Sequence, residues 1–287
     1  MIEIVKEKEF FVGIDSDGCV FDSMELKHKE CFIPNFINYY DLQGCSKYAR
    51  EAAEFVNLYS KSRGINRFPA LVEQLDWLRR RPEVQARGVK VPRPQAVLDW
   101  LESEKKPGNP ALIKKIEATG DPELKQLLAW SNAVNDTVEQ IVRNVPPFPF
   151  VTKCLEKLQP KADMYVVSAT PNAALEREWK EHDIAPFVRA ICGQEIGTKQ
   201  EVLAQAQGYA DHHKLMIGDA PGDYHAAKAN ECLFYPINPG AEEASWKRFY
   251  DEGIEQFLSG QYAGAYQQQL LDEFEKYLPE QPPWPVV

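Results

Sequence analysis

Short apolar runs that stop abruptly at polar clusters recur along this chain. Residues 10–14 (Phe10, Phe11, Val12, Gly13, Ile14) end at Asp15. Residues 164–167 (Met164, Tyr165, Val166, Val167) end at Ser168, and residues 214–217 end at Gly218 and Asp219. A fourth run covers residues 232–237, and a weaker fifth covers 188–192. Runs of this length, rich in β-branched and aromatic residues and bounded by turn formers, predict buried strands. Elsewhere the apolar positions switch to helical spacing, over 152–158, 173–181, 199–206 and 223–229. Strands alternating with short helices predict βαβ units and a parallel sheet.

Residues 24–145 follow a different pattern. Leu71, Val72, Leu75 and Leu78 recur at helical spacing, as do Ala96, Val97, Trp100 and Leu101. Leu124, Leu127 and Leu128, then Val134, Val138, Ile141 and Val142, continue it. No strand pattern intervenes, and Pro92, Pro94, Pro107, Pro110 and Pro122 punctuate the stretch. The expectation is an all-helical insertion at 24–145 between the first strand and the rest of the sheet. The core would then comprise 1–23 and 146–287, with a helical extension over 240–287 ending in a Pro-rich tail.

Composition narrows the class. Of 287 residues, 44% are hydrophobic and 26% charged, as in ordinary globular domains. No apolar run reaches the ~20 residues that span a bilayer, and no basic-then-apolar leader opens the chain, so a cytoplasmic protein without membrane partners is expected. A net charge of −10 disfavours nucleic-acid binding, which needs a basic footprint, but leaves room for a small phosphorylated ligand. The six cysteines, Cys19, Cys31, Cys45, Cys154, Cys192 and Cys232, form no C-x-x-C pair, and free thiols are expected.

Four segments carry candidate chemistry. The first strand delivers Asp15 and Asp17 to its C-terminal end, where ligands bind in open parallel sheets. One carboxylate of such a pair can attack phosphorus and the other can transfer a proton, although an Asp-rich turn closed by Gly18 accounts equally well for the pattern. Ser168, with the backbone N–H groups after it at Ala169 and beyond, can hold phosphate oxygens, but Ser168 or Thr170 can also simply cap the next helix. Lys199 opens a helix, where a cation opposes the dipole, so a nearby anion would explain it; a surface lysine is the plainer alternative. Residues 193–199 miss the phosphate-loop pattern G-x-x-x-x-G-K-[ST] in spacing and order, which excludes that class. Asp219 and Asp223 suit Mg²⁺, a hard cation commonly held by one or two carboxylates; an N-capping turn is the alternative.

Together these segments, Asp15-Ser16-Asp17-Gly18-Cys19-Val20-Phe21-Asp22-Ser23, Ser168, Lys199 and Gly218-Asp219-Ala220-Pro221-Gly222-Asp223, resemble the four ordered motifs of the haloacid dehalogenase (HAD) superfamily. Cys19 stands where the family usually has Thr, and Gln200 follows Lys199 where Pro is frequent. The resemblance implies an α/β doubly wound parallel sheet with an inserted helical cap, and a cap of this kind closes over the site. It implies Asp15 as nucleophile and Mg²⁺ ligand, and Asp17 as acid/base with its carbonyl on the metal. Ser168, Ala169 and Lys199 would bind the phosphoryl group, while Asp219 would ligate Mg²⁺ with Asp223 supporting it. Asp17 directs the expectation to the phosphate-ester branch, because an alkoxide leaving group needs a proton. The expected activity is a phosphatase acting on a small phosphorylated metabolite. A phosphomutase and a non-catalytic binding protein are the alternatives. Arg63 and Arg67, beside Gly64, are candidate substrate contacts from the cap, with a solvated basic turn as the competing reading.

Overall fold

The computed structural model describes residues 3–286 and divides into two compact units. One runs to Met24 and resumes over Arg143–Leu278; the other comprises Glu25–Val142 and the segment from Pro279 onward.

The first unit is built on five parallel strands: β1 (Phe10–Ile14), β2 (Ala162–Val167), β3 (Ala190–Cys192), β4 (Lys214–Gly218) and β5 (Leu233–Pro236). Their order across the sheet is β3-β2-β1-β4-β5. Chain direction across the sheet therefore reverses between β1 and β4, which makes the β1–β4 gap the switch point of a doubly wound α/β fold. Register aligns Ile14 with both Val166 and Ile217, so the three central strands end side by side.

Both faces of the sheet are covered, which explains why β1 reads as continuously apolar rather than alternating. Phe10, Val12 and Ile14 face one core with Val151, Cys154 and Leu155 of the Val151–Leu158 helix and Trp179 of the Asn172–Glu181 helix. Phe11 faces a second core with Leu203 of the Lys199–Leu203 helix and Ala227 of the Pro221–Ala229 helix. The C-terminal helices contribute to both layers. Trp246, Phe249, Ile254 and Phe257 complete the first core, and Phe274 and Leu278 the second.

Among its described residues, the regular elements of the second unit are all helices. Its core gathers Phe55, Phe68, Leu71, Leu75, Trp100, Leu127 and Trp130 from helices that include Ser46–Leu58, Arg67–Arg79, Gln95–Ser103 and Pro122–Ile141. The Asp121 side chain caps the longest of these by accepting from the Glu123 and Leu124 amides. The tail departs from the expected division, because it groups with the helical unit and not with the sheet. Trp284 packs edge-on against Phe55 at 5.6 Å, and the Arg81 guanidinium lies between the Trp284 and Tyr48 rings at 4.4 and 4.5 Å. Edge-to-face aromatic packing and cation–π attraction thus hold a Pro-rich segment that has no helical or strand pattern of its own. No helix among the described residues is long and apolar enough to cross a membrane.

Candidate active site

The site is assembled at the C-terminal ends of β1, β2 and β4. The Asp15 amide donates to the Ile217 carbonyl at 2.9 Å, which extends the β1–β4 ladder by one residue and fixes the carboxylate at the switch point. The chain then turns sharply. The Ser16 carbonyl accepts from the Val20 and Phe21 amides at 2.8 and 3.1 Å, and Gly18 adopts φ 74°, a left-handed conformation that favours glycine. Two indoles pin this turn from beneath. Trp179 Nε1 donates to Ser16 Oγ at 3.0 Å, and Trp246 Nε1 donates to the Cys19 carbonyl at 2.7 Å. Cys19 itself is fully buried, and burial holds its thiol well above the ordinary range, which suits packing and not chemistry.

Lys199 is the hub of the charged cluster. Its Nζ lies 2.7 Å from Asp15 Oδ2 and 2.5 Å from Asp223 Oδ1. A lysine at the first position of a helix, unfavourable for the dipole, is thus matched by two buried anions. Thr198 and Glu201 form a capping box that secures this helix end independently of the lysine. Asp223 lies in the first turn of the Pro221–Ala229 helix, and its Oδ2 accepts from the Asp219 and Ala220 amides at 3.2 and 3.1 Å. Gly218 makes this possible, since a Cβ there would lie 2.5 Å from the Asp223 carboxylate.

Asp15, Asp219 and Asp223 each present an oxygen within 4.8 Å of the others, and all three are buried. Burial pushes the Asp15 carboxyl up to about 8; Lys199 opposes the shift, and Asp223 and Asp219 add to it. Burial also works against the Lys199 ammonium, but the ion pairs to Asp15 and Asp223 outweigh it and raise Lys199 above its ordinary value. Three carboxylates around one ammonium leave an excess of negative charge, and the donors are hard oxygens. Both features fit a divalent cation such as Mg²⁺.

The remaining sequence-derived candidates are distributed as follows. The Asp17 carboxylate stands apart from that trio. Its Oδ2 accepts from Thr170 Oγ1 at 2.6 Å, and its Oδ1 accepts from Ser23 Oγ. Ser168 is buried at the end of β2, with its amide donating to the Cys192 carbonyl at 3.0 Å, and Ala169 follows it, exposed. Neither Ser168 nor Thr170 caps the next helix. Its N-cap is Pro171, and the Asn172 amide donates to Glu195 Oε2 at 2.9 Å instead. Arg63 and Arg67 are not a solvated turn. Arg63 is 3% exposed and donates to the Leu58 carbonyl, while Arg67 Nη1 donates to Ser131 Oγ and Asn135 Oδ1 beneath the Phe32 ring. These bonds knit the helical unit together, and burial lowers Arg67 to about 10. The sequence carries no signal for Trp179 and Trp246 in the site. Ser23 appears in it only as the end of the first motif segment and Thr170 only as a helix-cap candidate, a hydroxyl two residues beyond Ser168.

The fold and site define a doubly wound α/β protein with a buried acidic centre at its switch point. No protein-family model and no curated protein matches the chain. Among solved structures it is similar to a protein assigned as a phosphoglycolate phosphatase from Lactobacillus delbrueckii subsp. bulgaricus, at 16% identity and TM-score 0.48, covering 93% of this chain and 98% of that one. It is also similar to a magnesium-bound HAD hydrolase from Bacillus subtilis, at 13% identity and TM-score 0.44, covering 81% and 88%. A HAD-superfamily hydrolase from Ehrlichia chaffeensis is similar at 15% identity and TM-score 0.42, covering 87% and 100%.

Proposed function

We propose that this protein is a Mg²⁺-dependent HAD-type phosphatase that hydrolyses a small phosphate monoester through an aspartyl phosphate on Asp15. The observation that carries the reading is the buried contact of Lys199 with Asp15 and Asp223 beside Asp219, at the switch point of the sheet. The ordered motifs around these residues support the family assignment.

Asp15, Asp219 and Asp223 are the residues that would hold the ion, which supplies charge neutralisation for the phosphoryl oxygens and for the carboxylates themselves. Asp15 attacks phosphorus; its O–P bond forms as the ester P–O bond breaks, and Asp17 gives its proton to the departing alkoxide oxygen. Asp17, now ionised, takes a proton from water as the water oxygen attacks the phosphoryl group. The acyl-phosphate bond breaks, inorganic phosphate leaves, and both carboxyl groups return to their starting forms. Ser168 Oγ and the Ala169 amide bind phosphoryl oxygens, and the Lys199 charge stabilises the negative charge that builds on them.

Phosphate release from a panel of phosphorylated metabolites tests this reading. The wild type should release phosphate with Mg²⁺ and stop when the ion is chelated. Asp15→Asn should lower turnover by roughly 10³-fold or more with the fold intact by circular dichroism. Asp15→Asn at wild-type rate would overturn the nucleophile assignment. Isomerised sugar phosphate without net phosphate release would replace hydrolysis by mutase chemistry.

A further inference from the structure

We propose that Thr170 is a positioning residue for proton transfer, holding the Asp17 carboxyl between two hydroxyls together with Ser23. The proposal rests on the phosphatase reading and concerns how its acid/base is aimed.

Thr170 Oγ1 meets Asp17 Oδ2 at 2.6 Å, and Ser23 Oγ meets Oδ1, so each carboxyl oxygen has its own hydroxyl. Two contacts on different oxygens define the plane of the carboxyl group as well as its position. The two hydroxyls come from distant parts of the sequence, six and 153 residues away, so the clamp joins the turn after β1 to the loop after β2. Thr170 is itself fixed. Its amide donates to Ser168 Oγ at 3.3 Å, its carbonyl accepts from the Gln194 amide at 3.1 Å, and the following Pro171 restricts its backbone to extended conformations. Gly193 lies so close that a Cβ there would sit 2.4 Å from the Thr170 carbonyl oxygen. The Thr170 hydroxyl is not taken by the helix that follows, whose N-cap makes no side-chain bond.

Hydroxyls suit this task better than ammonium groups. Each hydroxyl donates to one lone pair of its carboxyl oxygen, leaves the other lone pair free for the proton that goes to the leaving group, and brings no formal charge to hold that proton off. The clamp therefore holds Asp17 before and after it gives up its proton. Without it the carboxyl turns about its own bond, and misdirection of this order costs up to about 10²-fold in rate.

The test uses the best ester of the panel above, with phenyl and p-nitrophenyl phosphate as a pair that differ in leaving group. Thr170→Val keeps the shape and removes the hydroxyl; Thr170→Ser keeps the hydroxyl. The valine variant should lose about 10- to 100-fold in kcat on the best ester with KM unchanged, and serine should restore most of the loss. The loss in kcat/KM should be larger for phenyl phosphate than for p-nitrophenyl phosphate, whose leaving group needs little proton assistance. Ser23→Ala should repeat the pattern and serves if the valine variant fails to fold. Equal losses on both aryl esters, a rise in KM alone, or no rescue by serine would overturn the clamp while the phosphatase reading stands. A wild type that releases no phosphate from any ester overturns both.

Discussion

At the scale of single residues, the centre depends on close approach as much as on charge. Gly218 ends β4 and is the residue against which the Asp223 carboxylate packs. A methyl group there would meet Asp223 Cβ, Cγ and Oδ2, each at 2.5 Å. Asp223 cannot yield freely, because its oxygens accept from Lys199 and from the Asp219 and Ala220 amides. Gly218→Ala should therefore break this set, costing about 1–3 kcal/mol in a urea titration and at least about tenfold in phosphate release. A variant with both unchanged would show that Asp223 is not held as described. The sequence identified Asp15, Lys199, Asp219 and Asp223 because chemistry-bearing residues at strand and helix ends stand out against apolar runs. It does not give Ser23 and Thr170 the role of holding Asp17, since small hydroxyl residues near a turn are ordinary and their significance lies in side-chain direction, across six residues for Ser23 and 153 for Thr170.

At the scale of elements, the strands were legible for the same reason that they are stable. Burial on both faces makes β1 apolar at successive positions, and the run ends where the sheet edge meets the site. The C-terminal helices are legible as helices and as an extension of the core unit, but the layers they pack into are not. Their apolar residues reach the sheet through contacts distant in sequence, such as Tyr235 against Phe249 and Phe234 against Phe274. One of these helices reaches the turn after β1 directly, through Trp246. Trp246→Phe keeps an aromatic ring in a fully buried position but removes the N–H that serves the Cys19 carbonyl. The expected cost is about 1–3 kcal/mol in the unfolding free energy, with a fall in turnover because the same turn carries Asp15 and Asp17. Urea denaturation and kcat measured on one preparation check this. Lost stability with unchanged kcat would limit Trp246 to packing.

For the whole molecule, chain connectivity and the thiols set the terms. The chain passes between the two units three times, near residues 24, 142 and 278, and the third passage ends in the Trp284–Arg81–Tyr48 stack. The six thiols are all free and buried. Burial pushes Cys154 up to about 12 and Cys192 and Cys232 up to about 11, from an ordinary value of 9.0. The direction of the resulting pH dependence follows from proton counting. Above pH 9 the unfolded chain gives up these thiol protons while the folded chain keeps them, so the folded state binds more protons and stability falls as pH rises. The loss begins near the unfolded value and, for each thiol, ends near its folded one. Between about pH 9 and pH 11 each of the three removes about 1.4 kcal/mol per pH unit once its unfolded form is ionised. Below pH 9 both states hold the protons and the thiols contribute no slope. Buried tyrosines shifted upward, such as Tyr235 and Tyr262, steepen the same limb at higher pH. Urea midpoints measured at half-unit steps should be flat in this respect up to pH 9 and then decline. Cys154→Ala should make the decline shallower by roughly one thiol's share, at the cost of a small cavity that lowers stability equally at every pH. An alkaline decline of unchanged slope in that variant would mean that Cys154 ionises as readily in the folded protein as in the unfolded chain.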